Sequence, residues 1–215
     1  MRRVSDTGIV RNYCQNNVGG VFDLNYLSKH KFSDIPNVNL RKIVTRLIDQ
    51  GILRQVSKGV YLIGESDMSD EDRIIKHYLK DDRGIPTGEY LLYTLGVIDE
   101  EPIEKTLKTN LSVGNKKIGN IKVMESGSSF YKVVGARYLI TALEIISVMN
   151  EIDVSSLLTV TRIIEKYLMN YSDSLMKTYV KDEYPKNVYL KLSSILNSMK
   201  IPNKVIDIYV FKEQI

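Results

Sequence analysis

Residues 37 to 58 carry many hydrogen-bond donors at spacings that suit contact with a nucleic acid. The donors are Asn39, Arg41, Lys42, Thr45, Arg46, Arg54 and Lys58. Arg and Asn side chains can bond base edges in the major groove, whereas Lys and Arg neutralise phosphates. This combination predicts contact with double-stranded DNA.

The first five donors share one side of a predicted helix. The apolar residues Leu40, Ile43, Val44, Leu47 and Ile48 are spaced three, one, three and one apart, which places them in a single stripe. The donors then occupy the opposite face, and we expect Asn37 or Asn39 to cap the helix start. An ordinary solvated helix face is the alternative for this helix taken alone.

The surrounding elements favour the DNA interpretation. Helical spacing is also present in residues 7–18 and 24–30, Gly51 follows the third helix, and β-branched runs flank the turn Ser57-Lys58-Gly59. Three helices followed by a hairpin are the plan of a winged helix-turn-helix, which we predict over residues 1–64.

The roles of the donors follow from that plan. The N-terminal half of the third helix enters the major groove in such modules, so Asn39, Arg41, Lys42 and Thr45 would lie nearest the bases, with Arg41 on guanine. Phosphate contacts are expected from Arg46 with Lys29 or Lys31. The wing residues Arg54 and Lys58 would reach the flanking backbone or a minor groove.

The distribution of charge agrees with this interpretation. Residues 1–64 hold ten basic and four acidic side chains, whereas the whole chain holds 30 basic and 26 acidic ones. The first 64 residues therefore carry +6 of a chain whose net charge is +4. A polyanion would be attracted to this end first.

Composition bounds the class of protein. The 215 residues are 43% hydrophobic, which permits a real core and favours two domains. No apolar run approaches the roughly 20 residues that cross a bilayer, and the start MRRVSDTG lacks the apolar stretch of a secretory signal, so a cytoplasmic protein is expected. The single cysteine, Cys14, lies on an apolar stripe and is expected in the core.

Residues 65–215 are predicted to form a second, α+β domain. GESDMSDED is the expected linker, and Ser69 or Asp70 should cap a helix through Lys80. Segments EKTLKTNL, KKIGNIKVMES and SFYKVV predict a small antiparallel sheet, and KVIDIYVF predicts a terminal strand. The remaining segments predict helices over residues 88–96, 136–149, 156–171, 173–181 and 186–199.

Enzyme chemistry has little support in the sequence. His30 and His77 stand in no metal-ligand spacing, and the glycine-rich turns lack the lysine and hydroxyl of a nucleotide loop. Acidic clusters such as Asp81-Asp82 and Asp99-Glu100-Glu101 could hold magnesium for a nuclease, but solvated loops often contain such clusters. We expect no catalytic residue, no metal and no cofactor.

Two stretches of the chain resemble the AbiEi antitoxins of bacterial AbiE abortive-infection systems. The stretch LRKIVTRLIDQGILRQVSKGVYLI is similar to the family's N-terminal winged helix, and GIPTGEYLLYTLGV is similar to the Pro-small-Gly and Leu-Gly pattern that opens its second domain. Residues 150–215 match only in helical character, and Glu89, Tyr90 and Leu91 replace a segment that is often Ala-rich in the family.

The resemblance implies a non-enzymatic antitoxin of a type IV toxin–antitoxin system. Such a protein represses its own operon through inverted repeats in promoter DNA, and it antagonises an AbiEii nucleotidyltransferase toxin without a stable complex. The surface opposing the toxin is not assigned by the resemblance; the basic stretch of Lys177, Lys181 and Lys186 is one candidate, with a solvated helix face as the alternative. A ligand-responsive winged-helix regulator and a protein-interaction adaptor are the other interpretations of the chain.

Overall fold

The computed structural model describes residues 5–180 and 184–213 and shows a mixed α+β fold. The helices of the described part are α1 (Asp6–Gln15), α2 (Leu24–His30), α3 (Asn37–Asp49), α4 (Asp70–Leu79), α5 (Gly88–Thr94), α6 (Val134–Val148), α7 (Leu157–Leu168), α8 (Asp173–Tyr179), α9 (Lys186–Ser198) and α10 (Val205–Glu213). The strands are β1 (Val21–Asp23), β2 (Leu53–Ser57), β3 (Val60–Ile63), β4 (Gly84–Thr87), β5 (Lys105–Thr109), β6 (Lys116–Ile118) and β7 (Ile121–Glu125).

Residues 5–63 form three helices and a three-stranded antiparallel sheet in the order β1-β3-β2. The side chain of Ser5 accepts a hydrogen bond from the N–H of Gly8 at the start of α1, and Asp23 accepts one from Tyr26 at the start of α2. Gly51, at φ 71°, ends α3 in the left-handed region that glycine adopts without strain. The hairpin predicted around Ser57-Lys58-Gly59 is present as β2 and β3.

The apolar stripe of α3 faces a core, as predicted. Leu40, Ile43, Val44 and Leu47 are buried, and they pack in one cluster with Phe22, Phe32, Leu53 and the buried Cys14. The expected asparagine cap is wrong. Pro36 takes the cap position without a side-chain hydrogen bond, and its ring fixes φ at −54°, close to the helical value.

The N-terminal sheet is buried on both faces, which explains why all four residues of β3 are buried. One face, with Phe22, Tyr61 and Ile63, packs on α1 to α3. The other face, with Val21, Val60 and Leu62, packs on residues beyond position 64, among them Ile74, Tyr78 and Leu107. The division of the chain into two domains at residue 64 remains a prediction, because residues on both sides of this position pack in one core.

The second sheet has four strands in the order β4-β5-β7-β6. Its outer pairs are antiparallel, as expected, but β5 and β7 run parallel because β6 occupies the edge of the sheet and returns as a hairpin into β7. The segment SFYKVV is not a strand: Phe130–Lys132 form one 3-10 turn, which buries Phe130. Gly84–Thr87 form an additional strand that the sequence did not indicate.

Helices cover this sheet. The most buried is α6, with nine buried side chains, and α5 and α7 to α10 pack around it. The terminal strand predicted from KVIDIYVF is wrong: this segment contains α10, because Val205 and Ile208 at helical spacing bury against the core and Tyr209 packs on Tyr189. Within the described ranges, no helix has the length and apolar character to cross a membrane.

Candidate nucleic-acid interface

The outward face of α3 presents all five donors that the sequence placed there. Asn39, Arg41, Lys42, Thr45 and Arg46 are exposed. At about 100° per residue, Arg41 and Thr45 lie along one edge of this face, and Asn39 and Arg46 along the other. The hydroxyl of Thr45 donates to the carbonyl oxygen of Arg41 at 3.1 Å. Toward a base it can therefore act as a hydrogen-bond acceptor.

One edge of α3 forms a groove with the wing turn. The groove has a volume of about 620 Å³, and its walls include Arg41 and Thr45 from α3 and Lys58 from the β2–β3 turn. The third wall comes from the loop before β6 and from β6 itself, and it holds Asn115, Lys116 and Lys117. The structure therefore brings together three residues predicted from sequence, and it adds a loop that the sequence analysis did not assign to the interface. The only sequence signal there was the basic pair Lys116-Lys117, inside a predicted strand.

Arg54 is held away from this groove. Its guanidinium Nη2 donates to Asp70 Oδ1 at 2.6 Å, and it lies in a separate groove that also contains Glu71. The contact of Arg54 with the DNA backbone stays a prediction, and in it a phosphate would replace the carboxylate of Asp70 as the partner of the guanidinium. Both side chains are largely exposed, so the pair itself contributes little to stability.

The other predicted DNA contacts, for phosphates and, in the case of Lys42, for bases, are exposed but do not line the groove. Lys29 is in the last turn of α2 and Lys31 follows it, while His30 between them packs on the ring of Tyr26 at 4.3 Å between centroids. Lys42 and Arg46 occupy the part of α3 that faces away from the wing. Only a ligand that extends beyond the groove could contact these residues together with those that line it.

A buried carboxylate holds Lys116, one of the residues that line the groove. Asp23 is 1% exposed, and its Oδ2 accepts from the Tyr78 hydroxyl at 2.8 Å and from Lys116 Nζ at 2.5 Å. Burial, with the charge of Asp23, raises the pKa of Tyr78 and keeps its hydroxyl protonated. Asp23 thereby joins the start of α2 to α4 and to the second sheet, and it offsets the charge of Lys116.

The residues considered for enzyme chemistry are dispersed. His77 lies on α4, where burial lowers its pKa to about 4 and keeps it neutral at pH 7, and its Nε2 is buried without a hydrogen-bond partner. Asp82 pairs with Arg137, and Glu101 pairs with Lys105 at 2.6 Å. Among the described residues, no three His, Cys, Asp or Glu side chains form a group that could hold a metal ion.

The candidate antitoxin surface is described only in part. Lys177 is exposed on α8, and Lys186 is the exposed first residue of α9. Lys181 lies outside the described residues. This candidate stays a prediction.

No family model matches the chain, and no curated protein matches it.

Proposed function

We propose that this chain is a winged-helix DNA-binding protein that represses its own operon and serves as the antitoxin of a type IV toxin–antitoxin system. The observation that carries the DNA-binding half is the exposed cationic face of α3 beside the groove of Arg41, Thr45 and Lys58. Recognition helices present donors in this way to the major groove, with a wing at the flanking backbone.

The order of elements supports a winged helix. Three helices precede a β2–β3 hairpin, and β1 adds the third strand between α1 and α2. The two apolar faces of this unit are already covered, by its own core and by the second domain. The surface that remains for a partner is the cationic face of α3, which suits a polyanion. A protein-interaction adaptor would need an exposed apolar contact surface instead.

The antitoxin half of the proposal depends on the resemblance to AbiEi proteins. The resemblance implies that the operator consists of inverted repeats in the promoter and that the toxin is an AbiEii-like nucleotidyltransferase. It also implies that the antitoxin antagonises this toxin without forming a stable complex with it. Co-expression with an AbiEii-like nucleotidyltransferase toxin tests this half, because an antitoxin restores growth whereas an unrelated regulator leaves the toxin active.

One groove favours a ligand-responsive regulator as the second candidate. About 500 Å³ of space lies where α1 meets α4, lined by Tyr13, Asn16, Lys76, His77 and Lys80. Its charge would suit a small anion that acts on DNA binding from the junction of the two halves. Promoter affinity that changes with such a metabolite, with no protection against the toxin, would favour this candidate.

The test of the DNA-binding proposal is a mobility-shift titration with the upstream promoter duplex and a random duplex, each at two salt concentrations. Selective binding to the promoter, weakening as salt rises, is the expected result. Failure to bind either duplex would reject the proposal and leave the adaptor interpretation.

Two variants separate base contact from phosphate contact in this assay. Arg41→Ala should lose about 1–3 kcal/mol on the promoter but much less on random DNA, because it removes a base contact. Lys58→Ala should weaken both duplexes equally and reduce the salt slope by about one. Equal losses of Arg41→Ala on both duplexes would exclude Arg41 from the bases.

A further inference from the structure

We propose that the β6–β7 hairpin of the second domain, Lys116–Glu125, is part of the DNA interface and binds the phosphate backbone through Lys117 and Lys122. This inference rests on the proposed DNA-binding function and extends its surface beyond residues 1–64.

The hairpin is attached directly to the wing. The Ser57 hydroxyl donates to the main-chain carbonyl oxygen of Lys117 at 3.1 Å, which joins the end of β2 to β6. The preceding loop forms one wall of the groove that contains Arg41 and Lys58. A duplex seated against α3 and the wing turn would therefore approach this edge of the second sheet.

The two lysines project from the same face of the hairpin. Lys117 and Lys122 are directly opposed in the antiparallel pair of β6 and β7, so their side chains lie side by side. The neighbouring pair, Ile118 and Ile121, is buried in the shared core, which turns the lysine pair outward. Both lysines are exposed, and 64% of the Lys117 side chain is accessible.

The charges around the pair leave it able to bind phosphate. Lys116 is engaged with the buried Asp23, whereas Lys117 forms an exposed ion pair with Glu104 at 2.5 Å. An exposed pair of this kind contributes little to stability, so a phosphate can replace the carboxylate at little cost. The hydrogen bond from Lys117 lowers the pKa of Glu104, which keeps this carboxylate ionised beside the path of the backbone. Glu104 therefore acts as a local repulsive charge.

The test compares wild-type protein with the Lys117→Ala/Lys122→Ala variant on promoter and random duplexes over a series of salt concentrations. The variant should bind both duplexes roughly three- to tenfold more weakly at low salt, with a salt slope smaller by about two, because two phosphate contacts are lost. The ratio of promoter to random affinity should stay the same. Since both side chains are exposed, the unfolding midpoint should not change.

Two further variants serve as control and as converse. Lys166→Ala/Lys204→Ala removes the same charge from exposed positions on α7 and just before α10, and it should change binding much less. Glu104→Gln removes the repulsive carboxylate and should tighten binding to both duplexes. Wild-type affinity and slope in the hairpin variant, together with the expected loss in Lys58→Ala, would overturn this inference and leave the proposed function intact. Wild-type protein that binds neither duplex would overturn both.

Discussion

Arg73→Met should lower the free energy of unfolding by about 3 kcal/mol or more, since it removes several charged hydrogen bonds from a buried site. The Arg73 guanidinium donates to the carbonyl oxygens of Gly19 and Ile63 at 2.9 Å and of Gly64 at 3.0 Å, with a longer contact to Gly20. The side chain is only 5% exposed. Methionine fills a similar volume but donates to none of these carbonyls. Ile63 and Gly20 still accept from the main-chain N–H groups of Gly19 and Ile63, whereas the carbonyl oxygens of Gly19 and Gly64 lose the guanidinium as their donor.

Urea unfolding followed by circular dichroism measures this effect. Lys76→Met is the matched control, because it makes a comparable change at an exposed position of the same helix and should cost less than about 0.5 kcal/mol. A loss below about 1 kcal/mol in Arg73→Met would show that water satisfies the carbonyls when the guanidinium is absent.

The position of Arg73 affects how DNA binding and toxin protection can be tested separately. It lies on α4 yet bonds the backbone just before β1 and at the end of β3, and the sheet of these strands shares a core with Ile74, Tyr78 and Leu107. Removing residues 1–64 would expose this apolar surface, so lost toxin protection in a truncated protein would report misfolding as readily as function. Point variants on the surface of α3 separate the two functions more cleanly.

Local features of the fold were predictable because their causes lie within a few residues. The stripe from Leu40 to Leu47, the left-handed Gly51 and the Ser69 cap of α4 each depend on neighbours in the chain. In contrast, β1 is three residues long and exists because it pairs with β3, about forty positions later. The segment of α10 is rich in β-branched residues, and its contacts with α8 and α9 decide its helical form.

The same distinction applies to the candidate interface. The donors of α3 follow from helical spacing, so the sequence places them on one face. The ion pair of Arg54 with Asp70 depends on where α4 packs, and the groove wall at Lys117 depends on the parallel pairing of β5 and β7. Neither contact has a signal in the nearby sequence.

Glu144→Leu should cost about 3–5 kcal/mol, because it removes the anion from a buried polar cluster. Glu144 Oε1 accepts from Lys108 Nζ at 2.5 Å and from the Tyr184 hydroxyl at 2.6 Å, while Oε2 accepts from the Thr87 hydroxyl. Glu144 and Lys108 are 5% and 7% exposed. The substitution takes this carboxylate away from the buried ammonium of Lys108 and from the hydroxyls of Thr87 and Tyr184.

Adding Lys108→Met to Glu144→Leu should restore part of the lost stability, because an apolar pair of similar volume often replaces a buried ion pair at low cost. Urea unfolding of both single variants and the double variant gives the coupling energy of the pair. Glu100→Leu, at an exposed loop position, controls for the change of side chain. Additive losses in the double variant would show that the two charges do not depend on each other.

Since the cluster joins β4 and β5 to α6, away from α3, the ratio of promoter to random DNA affinity should be unchanged in every variant that remains folded.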